Sequence, residues 1–142
     1  MKRTAAPYRG RSKLERQPES HHYHAELNEP VLVVSVNRSY PRRSAYDAAR
    51  YAWRLSPARA KLVRYVLATK NRRIIGVFEP LEWKAATTEN FPEFAHGMPG
   101  RIGFVGRVPD EAVSSRYVGR DLPSDFQFSG NGYRYAGAAE SS

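Results

Sequence analysis

Between Asn37 and Ile74 the chain carries eleven Arg or Lys residues and a single acid, Asp47. Tyr40, Tyr46, Tyr51, Trp53 and Tyr65 are interleaved with those cations. Dense cationic side chains neutralise phosphates, while aromatic rings and guanidinium planes offer flat faces on which bases stack. Arg38, Arg42, Arg43, Arg50, Arg54, Arg72 and Arg73 are the candidates for phosphate contact. Arginine's planar fork suits phosphate oxygens, and loop starts and hairpin tips can follow a backbone. Arg59 and Lys61 either join them or form the solvated side of a short helix. Tyr40, in a loop beside Arg42 and Arg43, is the candidate exposed stacker. Asn37 and Ser39 could read a base edge or simply bond the turn they sit in. Trp53 and Trp83 complete a candidate base pocket, since stacking a base on an aromatic ring is worth about 1–3 kcal/mol. Trp53 also falls on an alanine-rich helix face, which suits a core anchor.

Other chemistries are thinly represented. Glu82-Trp83-Lys84, with Glu79 upstream, has the E-x-K form of a metal-dependent nuclease, in which carboxylates hold Mg²⁺ and lysine stabilises developing charge. Such a site needs a further acid, and Asp47 already has a role at a helix start. His21-His22-Tyr23-His24 lacks cysteine or convergent carboxylates and reads as a polar tract rather than a metal site. His96 stands alone. There is no Ser-His-Asp order, no P-loop and no G-x-G-x-x-G fingerprint, and Gly103 to Gly106 falls within a strand, not at a strand-to-helix turn. The expectation is a binding module with no catalytic residue, metal or cofactor. A small Mg²⁺-dependent nuclease and a protein-interaction or inhibitor module are the alternatives.

The whole chain supports that emphasis. Its 142 residues suit one domain with a modest core, and its formal net charge is +9. Such an excess favours DNA or RNA, with a protein as the competing partner and the oligomeric state open. No stretch approaches the eighteen apolar residues of a membrane span. With no cysteine and no apolar leader, the reading is a cytoplasmic protein.

The elements that must position these residues can be traced in order. Residues 1–29 read as a disordered basic and polar tail, 30–136 as one α+β domain, and 137–142 as a flexible C-terminal tail. Val31 to Val36 is a continuous β-branched run that suits a strand buried on both faces. Ser44 can cap a helix from Ala45 to Arg54, and Ser56-Pro57 a short second one. Leu62 to Thr69 and Ile74 to Glu79 read as a hairpin turning at Lys70 to Arg73, with Gly76 marking a bulge and Pro80 ending the second strand. Leu81 to Ala86 has no clear assignment beyond Trp83 as an anchor, and Thr87 to Gly100 reads as a long loop. A strand over Arg101 to Val108, a helix opened by Pro109-Asp-Glu and running to Tyr117 with Gly119 as its C-terminal cap, and a strand near Tyr133 to Ala136 complete the set. Hairpin connections point to a small curved sheet or open β-barrel with two to three flanking helices.

Several pieces are familiar together: Asn37-Arg-Ser-Tyr40 after the opening strand, Tyr46-Asp-Ala-Ala-Arg50-Tyr-Ala-Trp53, Tyr65 to Thr69, Ile75 to Phe78 leading to Trp83, Gly103-Phe-Val-Gly106, and Tyr117-Val-Gly-Arg120. This order resembles small, poorly characterised bacterial and phage domains, and in layout the PUA-like class that includes ASCH and EVE domains. The resemblance covers residues 31–136. It implies a compact β-barrel with flanking helices that binds RNA or modified bases in DNA, with a base pocket between the first helix and the barrel mouth.

Overall fold

The structure, a computed structural model, describes residues 24–137. Its elements in chain order are β1 (Val31–Ser35), α1 (Ala45–Arg50), α2 (Pro57–Ala60), β2 (Tyr65–Lys70), β3 (Arg73–Ala85), β4 (Ile102–Arg107), α3 (Glu111–Tyr117) and β5 (Tyr133–Ala136). The strands form one open five-stranded mixed sheet in the order β4-β3-β2-β1-β5. Only β1 and β2 run parallel. A parallel pair requires a crossover, and α1 and α2 supply it. The architecture is a small α+β fold, and the sheet does not close into a barrel.

Local chemistry explains most of these elements. The Ser44 side chain accepts from the Asp47 N–H at the start of α1, Ser56 accepts from the Arg59 N–H ahead of Pro57, and Asp110 accepts from the Val113 N–H. The β2–β3 hairpin turns at Asn71 and Arg72, whose φ values of 50° and 70° are the two positive angles a tight primed turn demands. A bulge follows: the pairing steps from Ala68 opposite Gly76 to Thr69 opposite Ile74, leaving Ile75 extra beside the glycine.

The sheet is covered on both faces, and β1 shows how. Leu32, Val34 and Val36 pack with Ala48 and Ala49 of α1, Ala60 of α2, Val66, Ala68, Phe78 and Phe104. Val31 and Val33 point the other way, to Leu67, Ile74, Val77, Tyr117, Leu122 and Phe126. Two covered faces account for a strand without polar alternation.

Three sequence expectations change. α1 ends at Arg50, because Tyr51 is already extended (φ −137°, ψ 132°), so Arg54 lies beyond the helix. Pro80 does not end β3. The strand runs on to Ala85 with a register shift between Pro80 and Glu82, its first half pairing with β2 and its second with β4. A proline at a bulge breaks no ladder bond, and Leu81 to Ala85 therefore continues the strand. The tail boundary also moves: Ala25 is buried, its N–H donates to the Asp121 carbonyl at 2.9 Å, and Glu29 accepts from the Tyr117 hydroxyl at 2.8 Å. The remainder of the tail, with His21 to Tyr23, and residues 138–142 lie outside the described residues. Among the described residues, no helix is long and apolar enough to cross a membrane.

Candidate nucleic-acid interface

Four connections converge beyond the C-terminal end of β1. The chain leaves β1 through a turn in which the Ser39 and Tyr40 N–H groups both donate to the Val36 carbonyl, at 3.1 and 2.9 Å. Lys70 Nζ donates to the carbonyls of Asn37 at 3.0 Å and Tyr40 at 3.4 Å, and the Asn71 N–H donates to Asn37 Oδ1 at 2.9 Å. Antiparallel pairing of β5 with β1 brings its preceding loop alongside, where the Ser35 N–H donates to the Gly132 carbonyl at 2.8 Å. After α1, Trp53 forms a two-bond bridge with Ile102 (2.8 and 2.9 Å), which sets Arg101 beside it. The long loop is tied in by the Tyr51 hydroxyl, which donates to the His96 carbonyl at 2.6 Å.

Between these segments lies a cleft of about 750 Å³, within the usual range for ligand sites. Arg38, Arg43 and Arg101 line it, together with Asn37, Ser39, Asn131 and His96, and Tyr51, Trp53 and Phe94 supply aromatic surface. No carboxylate is among its lining residues. None of the three arginines forms an ion pair among the described residues. Arg43 lies over the Phe94 ring, 4.7 Å from its centroid, and Arg101 Nη1 donates to the Ala52 carbonyl at 3.4 Å. Tyr51 and Phe94 stack at 3.9 Å and 13°. The Trp53 indole N–H donates to the Ala49 carbonyl at 2.7 Å, and its ring meets Tyr133 edge-on at 6.1 Å. Trp53 is thus half-buried, packed on the core and also a wall of the cleft.

Arg50 has a different role from the one its sequence neighbours suggest. Only 4% of it is exposed. Its Nε donates to Asp47 Oδ1 at 2.9 Å, its Nη2 to Glu93 Oε2 at 2.5 Å, and its guanidinium lies 4.7–5.4 Å from the Tyr46, Phe91 and Phe94 rings. Burial works against its charge, but the bonds to Asp47 and Glu93 outweigh it and raise its pKa further. Glu93 is held below its ordinary value by its own backbone N–H and by Arg50. With both carboxylates engaged and its rings in place, Arg50 anchors the long loop to α1 and presents no free face to a phosphate.

The other candidates are dispersed. Tyr40 is half-buried against the core and does not line the cleft, so it is no exposed stacker. Trp83 packs on Phe104 at 5.1 Å, on the far half of β3, so it flanks no base with Trp53. Arg42 is exposed, with its Nη2 on the Arg38 carbonyl at 2.7 Å, and Arg54 is exposed beyond α1. Arg72 and Arg73 stand at the hairpin tip, where Arg72 donates to the Pro123 carbonyl at 2.9 Å and Arg73 pairs with Asp121 at 3.0 Å. Glu79 is paired with Arg107 at 3.0 Å. Among the described residues, no three His, Asp or Glu side chains gather as metal ligands, and that includes Glu79, Glu82 and His24. Arg101, Phe94 and Asn131 also line the cleft without standing out in the sequence, and Tyr51 is there one aromatic among several. Their shared signal was proximity to glycine in loops (Gly97, Gly100, Gly130, Gly132), which is too general to single them out. No family model matches the chain, and neither a curated protein nor a solved structure matches it.

Proposed function

We propose that the protein is a cytoplasmic nucleic-acid-binding module that captures DNA or RNA at the cleft beyond β1. One observation carries this reading. A cleft large enough for a nucleotide is lined by three arginines and aromatic rings without a single carboxylate among them. Phosphate oxygens would meet Arg38, Arg43 and Arg101, and a base would lie against Trp53 or Tyr51, with Asn37, Ser39 and Asn131 at its edge. The position also suits a ligand, since open sheets with a parallel crossover bind at the carboxyl ends of their strands. The sequence resemblance to PUA-like domains points the same way and extends the reading to a modified or extruded base.

Fluorescence anisotropy with labelled single- and double-stranded DNA and RNA tests the proposal. Reversal of Arg38, Arg43 and Arg101 to Glu together is expected to lower affinity about a hundredfold or more, with a thermal melt confirming that the variant folds. Unchanged affinity in that variant would refute the cleft as the site.

A further inference from the structure

The polar side chains of the cleft are mostly donors. Arg38, Arg43 and Arg101 cannot accept a hydrogen bond at all. The asparagines that line the cleft have their carboxamide oxygens already in use. Asn37 Oδ1 accepts from the Asn71 N–H at 2.9 Å, and Asn131 Oδ1 accepts from the Ser129 hydroxyl at 3.2 Å and the Tyr133 N–H at 3.3 Å. Those bonds fix which way each amide is turned, since a reversed amide would set its NH2 against a backbone N–H. Each Nδ2 is then left without an acceptor among the described residues.

The backbone around the cleft sharpens the imbalance. The carbonyls of Asn37, Arg38 and Ser39 accept from Lys70 Nζ, Arg42 Nη2 and the Arg43 N–H. Those of Ala52, His96 and Gly132 accept from Arg101 Nη1, the Tyr51 hydroxyl and the Ser35 N–H. The Trp53 indole spends its N–H on the Ala49 carbonyl, so its ring offers a base a face and no polar edge. No carboxylate makes up the deficit. A base lying on Trp53 therefore meets guanidinium and carboxamide N–H groups at its edge, and an amino group there finds little to accept it.

We infer that the cleft selects guanine. The Hoogsteen edge of guanine carries two adjacent acceptors, a ring nitrogen and the keto oxygen, whereas adenine sets an amino donor beside the same nitrogen. Cytosine carries an amino donor on the corresponding edge, and uracil and thymine a single keto oxygen. Asparagine ordinarily reads adenine by donating to the ring nitrogen while its oxygen accepts from the amino group. In Asn37 and Asn131 that oxygen is engaged by the fold, and the NH2 groups that remain match guanine, as arginine does. The inference rests on the cleft reading, and its test separates the two.

Binding of the monophosphates of guanosine, 7-deazaguanosine, adenosine and uridine would be measured by calorimetry; all four share the phosphate, so their ratios isolate the base. Guanylate is expected to bind about tenfold tighter than adenylate or uridylate, the scale of one good base-edge pair. The deaza analogue, which lacks the ring-nitrogen acceptor, should lose most of that advantage. Asn37→Asp and Asn131→Asp combined exchange each NH2 for an oxygen and keep the oxygen that accepts from the backbone. The added charge lowers affinity for every probe, but the guanylate-to-adenylate ratio should fall to within about twofold of unity. Thermal melts confirm that the variant folds. Arg43→Glu should weaken all four probes. Adenylate or uridylate as tight as guanylate, full affinity for the deaza analogue, or a ratio that survives the double variant would overturn guanine selection while leaving the cleft intact. No binding of any probe, or indifference of all four to Arg43→Glu, would overturn the cleft and guanine selection together.

Discussion

Arg43 and Arg50 are seven residues apart, and both guanidinium groups lie over Phe94, at 4.7 and 5.3 Å. One is exposed with no ion pair among the described residues; the other is buried between Asp47 and Glu93. The difference lies in the acids around each, not in the arginines. Asp47 is one helical turn from Arg50, and Glu93 arrives from a loop forty-three residues away. A cation with two carboxylates becomes a brace, whereas cations left without them form a field. In this fold the brace holds the loop whose Phe94 forms the wall under the field.

The comparison can be strained hardest at the brace. Arg50→Met removes a buried cation and its stacking on three rings, and should destabilise the protein by about 3 kcal/mol in urea unfolding. The partially exposed Asp47 and Glu93 recover hydration, which keeps the loss at the lower end of the range for broken buried pairs. An unfolding midpoint unchanged by Arg50→Met would show that the brace is idle. Gly103→Ala tests the same joint from the sheet side. A Cβ there would lie 2.5 Å from the Arg50 carbonyl oxygen and 3.0 Å from Phe91, so the end of α1 must shift. Overpacking of this kind should cost about 2 kcal/mol. If Gly103→Ala melts with the parent protein, α1 does not sit on β4 as closely as described.

A smaller effect is expected from acid. Because Glu93 titrates below its ordinary value of 4.5 in the folded protein, its contribution is complete above that pH and fades as pH falls through the lower folded value. Urea midpoints taken downward from pH 5 should therefore fall less steeply in Glu93→Gln than in the parent. Since Glu93 is largely solvent-exposed, the difference should be modest. Parallel curves would mean that Glu93 is not the acid that holds Arg50.

Most of the frame was legible in the sequence because its signals are local. The Val31–Val36 run, the caps at Ser44 and Ser56, the Pro109-Asp-Glu helix start, the Asn71–Arg72 turn and the bulge at Gly76 each depend on a few adjacent residues. Pro80 misled, because its fit within β3 depends on a bulge where the partner strand changes from β2 to β4, a non-local fact. The site was legible only in part. Arg38, Arg43, Asn37, Ser39 and Trp53 do meet in one cleft, but Arg50 was grouped with them by charge alone, since Glu93 is remote in sequence. Arg101 and Asn131 were missed for the same reason: the Trp53–Ile102 bridge and the β1–β5 pairing deliver them, and neither is written in nearby residues.

The central claim is that the unpaired arginines of the cleft, and not the basic stretch as a whole, meet the phosphates. The salt dependence of single-strand binding tests it most directly, comparing Arg43→Ala and Arg101→Ala with Arg72→Ala at the hairpin tip. Each cleft variant should lower the slope of log affinity against log salt by about 0.7, the release from one phosphate contact on a single strand. Arg72→Ala should leave the slope unchanged. Equal reductions from all three, or a reduction from Arg72→Ala alone, would contradict the account.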